Sequence, residues 1–320
     1  HYDKLSFALF KGGDEVVQDY GMARFVNIEQ KGGGNYLKEN TSWAKQSIAH
    51  NTLVQNEISH FKGKYDIGSK YHSNKYIFSV EDENVQVASA KEDNAYPGTQ
   101  LHRTMVIIKD EDFESPYVLD IMKVSSENAH QYDLPFYFLG QIMLTNFEYS
   151  KLISPKVLGK SNGYQHLYQE ASASVDEGNI KLSWLLNHKF YTYSAVTSNN
   201  DEVVFGRIGA NDPDFNLRNE QTLILRKKNV KDALYVATIE SHGAYSPVSE
   251  LAVNAYSHVK HISVIHDSKE YTAVQIISKN DKSKVFIISN ENNDNESEHK
   301  LTIADKEYTW RGSYILTENK

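Results

Sequence analysis

Three side chains near the start of the chain have the types and positions that could bind one metal ion, namely His1, Asp19 and His50. Neutral imidazole nitrogen and carboxylate oxygen suit zinc, which takes such donors tetrahedrally at about 2.0–2.2 Å. His1, Asp19 and His50 could therefore share one ion. Their spacing does not decide the matter, because zinc signatures are usually short and these gaps are long. On spacing alone, an ordinary hydrogen-bonded histidine or aspartate at a strand end is the simpler interpretation of each residue.

A run of three glycines lies between Asp19 and His50, in the sequence KGGGNYL at residues 31–37. Each glycine loses more backbone freedom on folding than any other residue, so this run does not favour a helix or a strand. It lets the backbone approach another molecule or lets Tyr36 move, and a flexible surface loop is the alternative. It is not a phosphate-binding loop, because no GxGxxG, GxxxxGKS or GxxxxGKT pattern follows a strand and opens a helix.

The elements that must position these residues begin with a hairpin. Apolar residues alternate with polar ones on both sides of the turn KGGD at residues 11–14, which predicts two antiparallel strands, with Asp19 at the end of the second. His1 and Asp3 would then project from one face of a strand, two residues apart. His50 opens a further apolar run at residues 51–54.

The rest of the sequence is typical of a sheet protein. Short β-branched or aromatic runs alternate with polar turns, without a long amphipathic helix or a repeat of fixed period. We predict an all-β fold, a large antiparallel β-sandwich over residues 1–255 with a smaller terminal sheet layer of the same module over residues 256–320. Strands are expected at residues 76–80, 85–90, 101–109, 118–124, 136–139, 141–144, 164–173, 180–186, 190–193, 203–208, 222–226, 233–240, 261–266, 271–277 and 285–289, with a hairpin at 300–316 and a looser region at 149–163.

Composition limits the partners and the chemistry. With 320 residues and no cysteine, the chain can bury a substantial core but forms neither disulfides nor a thiolate site. No apolar run of about 18 residues occurs, so we expect no membrane span. The net charge of −8 argues against nucleic acid as the main partner and means that an acidic sugar needs a local cationic patch. The residues that could form this patch, unless they pair with Glu29 and Glu39, are Arg24, Lys31, Lys38 and Lys45.

Ordered motifs run along nearly the whole chain. The first 54 residues contain HYDKLSF, QDYGMARFVNIE, KGGGNYLKEN and WAKQSIAHNTLV. Later stretches are LHRTMV from Leu101, HQYDLPFYF from His130, GANDPDFNLR from Gly209 and SHGAYSPVSE from Ser241. Together they resemble the heparinase II/III-like region of the oligoalginate lyases, polysaccharide lyase family seventeen. The resemblance implies an N-terminal α/α toroid followed by a β-sandwich, and cleavage of alginate oligomers from one end by β-elimination.

The resemblance also implies roles for single residues. It places on Tyr36 the tyrosine that the β module contributes to the active site, and we expect Tyr36 to act as general base. An asparagine, a histidine and a second tyrosine are implied from the toroid. Substrate contacts are implied on Arg24 and, at a substrate-edge segment, on Glu250.

A zinc ion is implied on His1, Asp19 and His50. We expect this zinc to be structural, because β-elimination needs no nucleophilic water and ligands from three separated segments cross-link them. Three protein ligands that leave a fourth position open are the argument for a catalytic ion instead.

The chain starts after the His-Gly pair that precedes the first zinc histidine in that family, without an initiating methionine or signal peptide, and it lacks the toroid. We therefore expect a β module that is inactive in isolation. Its expected partners are acidic alginate oligomers, the toroid domain and, in an assembly, a second copy as a homodimer. We expect a periplasmic or secreted location, although the absence of cysteine fits the cytosol equally well.

Two other functions stay open at this point. One is a non-catalytic sugar-binding or structural β-sandwich, and the other is a lyase for heparin or another uronan. A heparin-degrading site should carry more lysine and arginine to meet sulfates. The sequence contains no HExxH, GxSxG or cysteine nucleophile. Two further residues have ordinary interpretations: Arg218 as an ion-pair partner rather than a cleft residue, and His242 as a hydrogen-bonded loop histidine.

Overall fold

The computed structural model describes residues 1–21, 26 and 33–318. Within those residues the chain forms, besides five 3-10 or π-helical turns, 23 strands and one short α-helix, which confirms the predicted all-β fold. In chain order they are β1 (Leu9–Lys11), β2 (Asp14–Val17), β3 (Val54–Gln55), α1 (Tyr65–Gly68), β4 (Asn74–Ser79), β5 (Val85–Tyr96), β6 (Thr99–Ile108), β7 (Tyr117–Ser126), β8 (His130–Tyr137), β9 (Gln141–Thr145), β10 (Ser150–Val157), β11 (Leu167–Val175), β12 (Gly178–Leu186), β13 (Lys189–Thr197), β14 (Asp201–Ile208), β15 (Gln221–Val230), β16 (Ala233–Ser246), β17 (Leu251–Val253), β18 (Val259–Asp267), β19 (Tyr271–Ser278), β20 (Ser283–Ser289), β21 (Glu298–Ile303), β22 (Lys306–Arg311) and β23 (Tyr314–Glu318).

The strands pair antiparallel into two large sheets and three smaller ones. A six-stranded sheet has the order β10-β11-β14-β15-β8-β3, and a nine-stranded sheet has the order β4-β5-β6-β7-β16-β13-β12-β9, with β17 paired to β16. A four-stranded sheet follows in the order β18-β19-β20-β23, and β1-β2 and β21-β22 form separate hairpins. The two large sheets are the predicted sandwich.

The main core lies between the six-stranded and the nine-stranded sheets. Phe136 on β8 stacks on Tyr193 on β13 with ring centroids 4.3 Å apart, and meets Trp184 on β12 edge to face at 5.8 Å. A second core joins the opposite face of the nine-stranded sheet to the four-stranded sheet, through residues such as Leu119 and Phe286. The central sheet is thus covered on both faces, which is why β16 reads as a nearly continuous apolar run rather than an alternation.

The terminal strands form the outer layers at one side of the molecule. The four-stranded sheet begins at Val259, and its outer face packs on the β21-β22 hairpin through Leu301, Tyr308 and Trp310. The predicted final hairpin is present as β21 and β22, whereas β23 leaves it to pair with β20. The division into residues 1–255 and 256–320 stays a prediction. Among the described residues, no helix has the length and hydrophobicity that crossing a membrane requires.

Two local predictions were wrong. The region 149–163 contains β10, an edge strand whose side chains are mostly exposed, so its sequence carries little of the apolar alternation that marks a strand. His1 and Asp3 do not lie in a strand. The hairpin around residues 11–14 forms, but it starts only at Leu9, because Leu5 adopts a left-handed conformation with φ of 64° that no regular strand accommodates.

A buried histidine on β6 makes stability depend on pH. His102 lies 2.7 Å through Nε2 from the Ser89 hydroxyl and packs edge to face on Tyr76. Burial, and then the charges of Lys91 and Lys123, lower the pKa of His102 to about 3. Between the ordinary histidine pKa of about 6.5 and that value, the unfolded chain binds a proton that the folded chain does not. Folding stability therefore falls as the pH drops from about 6.5 towards 3.

We expect His102→Asn to flatten this dependence by up to about 1.4 kcal/mol per pH unit, the effect of one proton. Urea unfolding of the parent and the variant at pH 7, 6 and 5 measures it. The matched control is His72→Asn, because His72 is exposed. If the stability curves of the parent and of His102→Asn run parallel over this pH range, His102 has the same pKa in the folded and the unfolded chain, which would contradict the prediction.

Candidate active and metal-binding site

In the N-terminal segment, defined as residues 1–61, the stretch around Trp43 packs against the outer face of the six-stranded sheet. Its described part contains short turns at Gly33–Tyr36, Asn40–Ala44 and Ser47–Ala49. Trp43 is fully buried and meets Tyr20 and the β8 residue Tyr137 edge to face, with ring centroids 5.7 and 6.3 Å apart. This aromatic anchor fixes the turns that carry Tyr36 and His50 to the rigid sandwich.

Histidine and aspartate side chains from three parts of this segment converge. The Nδ1 atom of the fully buried His50 is hydrogen-bonded to Asp19 Oδ1 and lies 4.0 Å from Asp3 Oδ2. His1 Nδ1 lies 3.7 Å from the same Asp3 oxygen, and the rings of His1 and His50 are 5.1 Å apart. The structure thus gathers His1, Asp3 and His50, and the predicted ligand Asp19 joins them through its contact with His50. These four residues are called the His/Asp cluster below.

The backbone around the cluster holds His1 in place. The Tyr2 amide donates to the Lys45 carbonyl at 2.9 Å, and the Ser47 hydroxyl donates to the Tyr2 carbonyl. The first residues thus lie beside the turns that lead to His50.

Next to the cluster, burial lowers the pKa of His60 to about 4, so this imidazole is neutral near pH 7 and donates through Nε2 to the Leu53 carbonyl at 2.8 Å.

The hydrogen bonds of His50 fit a cation. Its Nε2 lies 3.0 Å from the Ala44 carbonyl, which can only accept, so Nε2 carries a proton. Nδ1 then lies beside the carboxylates of Asp3 and Asp19. In that position its lone pair can bind a cation that it shares with the carboxylates. A backbone carbonyl on the second nitrogen is the usual orientation of a metal-binding histidine. The donor types, imidazole nitrogen and carboxylate oxygen, suit zinc.

Asp3, rather than the predicted Asp19, belongs to the set of donors that lie close together. One ligand atom each of His1, Asp3 and His50 lie within 4.8 Å of one another. In a tetrahedral zinc site with bonds of about 2.0–2.1 Å, neighbouring donors are about 3.4 Å apart. The distances of 3.7 and 4.0 Å from Asp3 Oδ2 to the two histidines are longer than that value, so the donors would move a few tenths of an ångström inwards to bind one ion. Asp3 was expected beside His1 but was not among the ligands predicted from the sequence.

Tyr36 ends the turn Gly33–Tyr36 with 78% of its side chain exposed. Asn40 closes the chain around it by donating through Nδ2 to the Asn35 carbonyl at 3.2 Å. Lys38, two residues on, donates to Asp214 Oδ2 at 3.3 Å. The phenol is thus presented to solvent on a turn whose neighbours are tied down.

The motif GANDPDFNLR forms the other side of this anchor. Asn216 donates through Nδ2 to Oε2 of the fully buried Glu39 at 3.1 Å. Asp212 shapes the loop by accepting from the backbone amides of Asn216 at 3.1 Å and Leu217 at 2.7 Å. The loop therefore holds the chain immediately after Tyr36 through the contacts of Glu39 and Lys38. Arg218 forms an ion pair with Glu220, in line with the structural role expected for it.

Residues 1–267 match the family described as heparinase II/III-like, C-terminal. The chain belongs to this family. The match covers most of the chain and ends at the last residue of β18, Asp267.

Two curated relatives align with this heparinase II/III-like chain over almost its whole length. An exo-oligoalginate lyase of Saccharophagus degradans is 41% identical over 326 residues, which cover 100% of this chain and 44% of the relative. An alginate lyase of Stenotrophomonas maltophilia is 39% identical over 316 residues, covering 98% of this chain and 42% of the relative. The chain thus spans less than half the length of these relatives.

Solved structures of heparinase III share the fold of the heparinase II/III-like chain. One superimposes with a TM-score of 0.59 at 11% identity, and another with 0.54 at 13% identity. Each match covers 90% of this chain and 36% of the other. At these identities the likeness concerns the fold alone.

The remaining residues singled out in the sequence lie elsewhere. Arg24 falls outside the described residues. Glu250 is exposed in the turn between β16 and β17, with a left-handed φ of 52°, on a different element from the His/Asp cluster. His242 is buried within β16 rather than in a loop, donates to the Asn254 carbonyl and lies 2.8 Å from the Thr192 hydroxyl. Its hydrogen bonds agree with the ordinary interpretation given to it.

Proposed function

We propose that this chain is the β module of an exolytic alginate-oligomer lyase that acts by β-elimination together with a helical toroid domain. The observation that carries the proposal is the convergence of histidine and aspartate side chains in the same N-terminal segment that exposes Tyr36 to solvent. The 41% identity to an enzyme named exo-oligoalginate lyase supports the substrate class. Since the chain spans less than half of that relative, the complete active site requires the rest of the protein.

In this reaction, Tyr36 as phenolate takes the proton from C5 of the uronate. The electron pair of that bond forms the C4–C5 double bond, and the C4–O4 bond breaks. A proton donor then neutralises the departing O4. Arg24, as a planar guanidinium, would grip the sugar carboxylate in a bidentate way and stabilise the charge that develops as C5 loses its proton.

The metal in our proposal is a zinc ion held by His1, Asp19 and His50, with Asp3 as a further carboxylate at the same place. Zinc would supply charge and a rigid link between the segments that bear these residues. The reaction needs no activated water, so the elimination does not depend on the ion as an acid or nucleophile. The role of the ion is to hold the N-terminal segment in the shape that presents Tyr36.

The substrate edge is the remaining part of the proposal. Glu250 and the exposed hairpin of β16 and β17 would border the bound oligosaccharide. A chain of net charge −8 does not attract an acidic sugar over long range, so recognition falls to local cations. Among the described residues near Tyr36, Lys38 is exposed and shares its charge with Asp214 and Glu39.

The test uses the full-length protein with alginate oligomers and, separately, heparan sulfate. Formation of the unsaturated uronate is followed by its ultraviolet absorbance. We expect absorbance to rise with alginate oligomers and to stay flat with heparan sulfate. Product from heparan sulfate alone would favour a lyase for heparin or another uronan. Binding of either sugar without product would favour a non-catalytic sugar-binding module. Either result would refute the proposal.

A further inference from the structure

We propose that Asn51 and Arg103 are positioning residues that set the spacing of the metal-binding side chains. This inference rests on the zinc site of the proposed function. The stretches that carry His1, Asp19 and His50 do not pair in one sheet, so other contacts must hold them at the distances that one small ion requires. Neither residue contributes a ligand atom in this proposal.

Asn51 connects all three ligand-bearing stretches. It follows His50 directly and is fully buried. Its Nδ2 donates to the Phe7 carbonyl at 3.0 Å, in the stretch after His1 and Asp3, and to the Gln18 carbonyl at 2.6 Å, next to Asp19. One amide group thus ties the start of the chain and the Asp19 stretch to the residue beside His50.

The other half of the same side chain fixes this junction to the sandwich. Asn51 Oδ1 accepts from the backbone amide of Tyr137 in β8 at 2.8 Å. The Asn51 amide therefore uses both donor hydrogens and its acceptor oxygen. An aspartate has the same shape but no donor, so it would place a carboxylate against two carbonyl oxygens.

Arg103 repeats the connection from the nine-stranded sheet. Its Nη1 donates to the Leu5 carbonyl at 2.9 Å and to the Asn51 carbonyl. The guanidinium lies 4.5 Å over the Phe7 ring, and its Nε and Nη2 bind Asp120 on β7 at 2.9 and 2.5 Å. Asp120 balances the buried charge and orients the guanidinium, so that Nη1 donates to the carbonyls of Leu5 and Asn51.

These contacts bear on metal affinity because a zinc site tolerates little error in donor position. Ligand distances must lie within about 0.2 Å of their ideal values. Removing a group that orients a ligand typically lowers metal affinity or activity about 10- to 100-fold. Asn51 and Arg103 hold backbone within four residues of Asp3 and adjacent to both Asp19 and His50. Loss of either should loosen the donor set while the sandwich core remains.

The test is Asn51→Asp in the full-length protein, with zinc affinity measured by competition against a chromophoric chelator. The visible spectrum of the cobalt-substituted protein reports the donor geometry. The matched control is Asn290→Asp. Asn290 is also buried and also donates twice, to the Ser268 carbonyl and the Thr272 hydroxyl. It lies far along the chain, next to the four-stranded sheet. We expect zinc affinity to fall about 10- to 100-fold in Asn51→Asp and to stay within twofold of the parent in the control.

A second variant keeps the inference testable if Asn51→Asp does not fold. Arg103→Lys retains the charge opposite Asp120 but loses the fork, and should shift the cobalt spectrum and weaken zinc in the same direction. Unchanged zinc affinity and an unchanged cobalt spectrum in a folded variant of either residue would overturn the inference and leave the lyase proposal intact. A parent protein that binds no zinc would overturn both this inference and the metal site. A parent that binds zinc as expected but yields no unsaturated product would refute only the lyase function.

Discussion

Full-length enzyme carrying Tyr36→Phe is expected to lose elimination activity about 100- to 10,000-fold, the usual contribution of a general base. The substitution removes one hydroxyl from a side chain that is 78% exposed. Unfolding free energy should therefore change by no more than about 0.5 kcal/mol. Initial rates of unsaturated product formation and urea unfolding curves measure the two quantities.

The matched control for this experiment is Tyr65→Phe, because Tyr65 is 74% exposed and lies on the separate helix α1. It should retain the parental rate. Near-parental activity in Tyr36→Phe would remove Tyr36 from the reaction. A loss of activity that is equal in both variants would point to a general effect of removing surface phenols.

Stripping the metal from the full-length protein should lower its melting temperature by about 5–10 °C, the effect of losing a ligand present at about a thousandfold over its dissociation constant. Activity should fall with the loss of structure, since Tyr36 and His50 belong to one segment. Because the ion has a structural role in our account, any divalent ion that restores the melting temperature should also restore activity. Calorimetry and rates on the stripped and reloaded enzyme test this.

The opposite pattern would contradict a structural role. If the stripped enzyme keeps its melting temperature and only zinc restores the rate, the ion takes part in the reaction itself. His130 offers the control position, because it lies on β8 of the six-stranded sheet and His130→Ala should leave the effect of chelation unchanged.

The sandwich was predictable because its strands carry their own signal. Apolar runs such as β16 and the KGGD turn between β1 and β2 identify elements wherever burial forces a repeating pattern. Edge strand β10 has no such constraint, since most of its side chains face water, and its sequence therefore did not predict a strand. The layer that each strand joins depends on pairing partners far along the chain, which a local pattern does not contain.

The site was predictable only in its ligand types. His1, Asp19 and His50 were proposed from residue chemistry and family resemblance; the structure brings His1 and His50 together and places Asp19 on His50, and their role as ligands stays a prediction. Asp3 was expected beside His1 but was not included, because the family resemblance implies only His1, Asp19 and His50 as ligands. Asn51 was not found because its importance lies in three backbone partners from different segments, and an asparagine beside a histidine gives no signal of that in sequence.

The claim that one ion joins the three segments and so presents Tyr36 is tested most directly by counting zinc in the purified full-length protein. Native mass spectrometry of the parent and of His50→Ala gives the count per chain. We predict one zinc in the parent that is absent from His50→Ala. No zinc in the parent, or the same zinc content in both proteins, would contradict it.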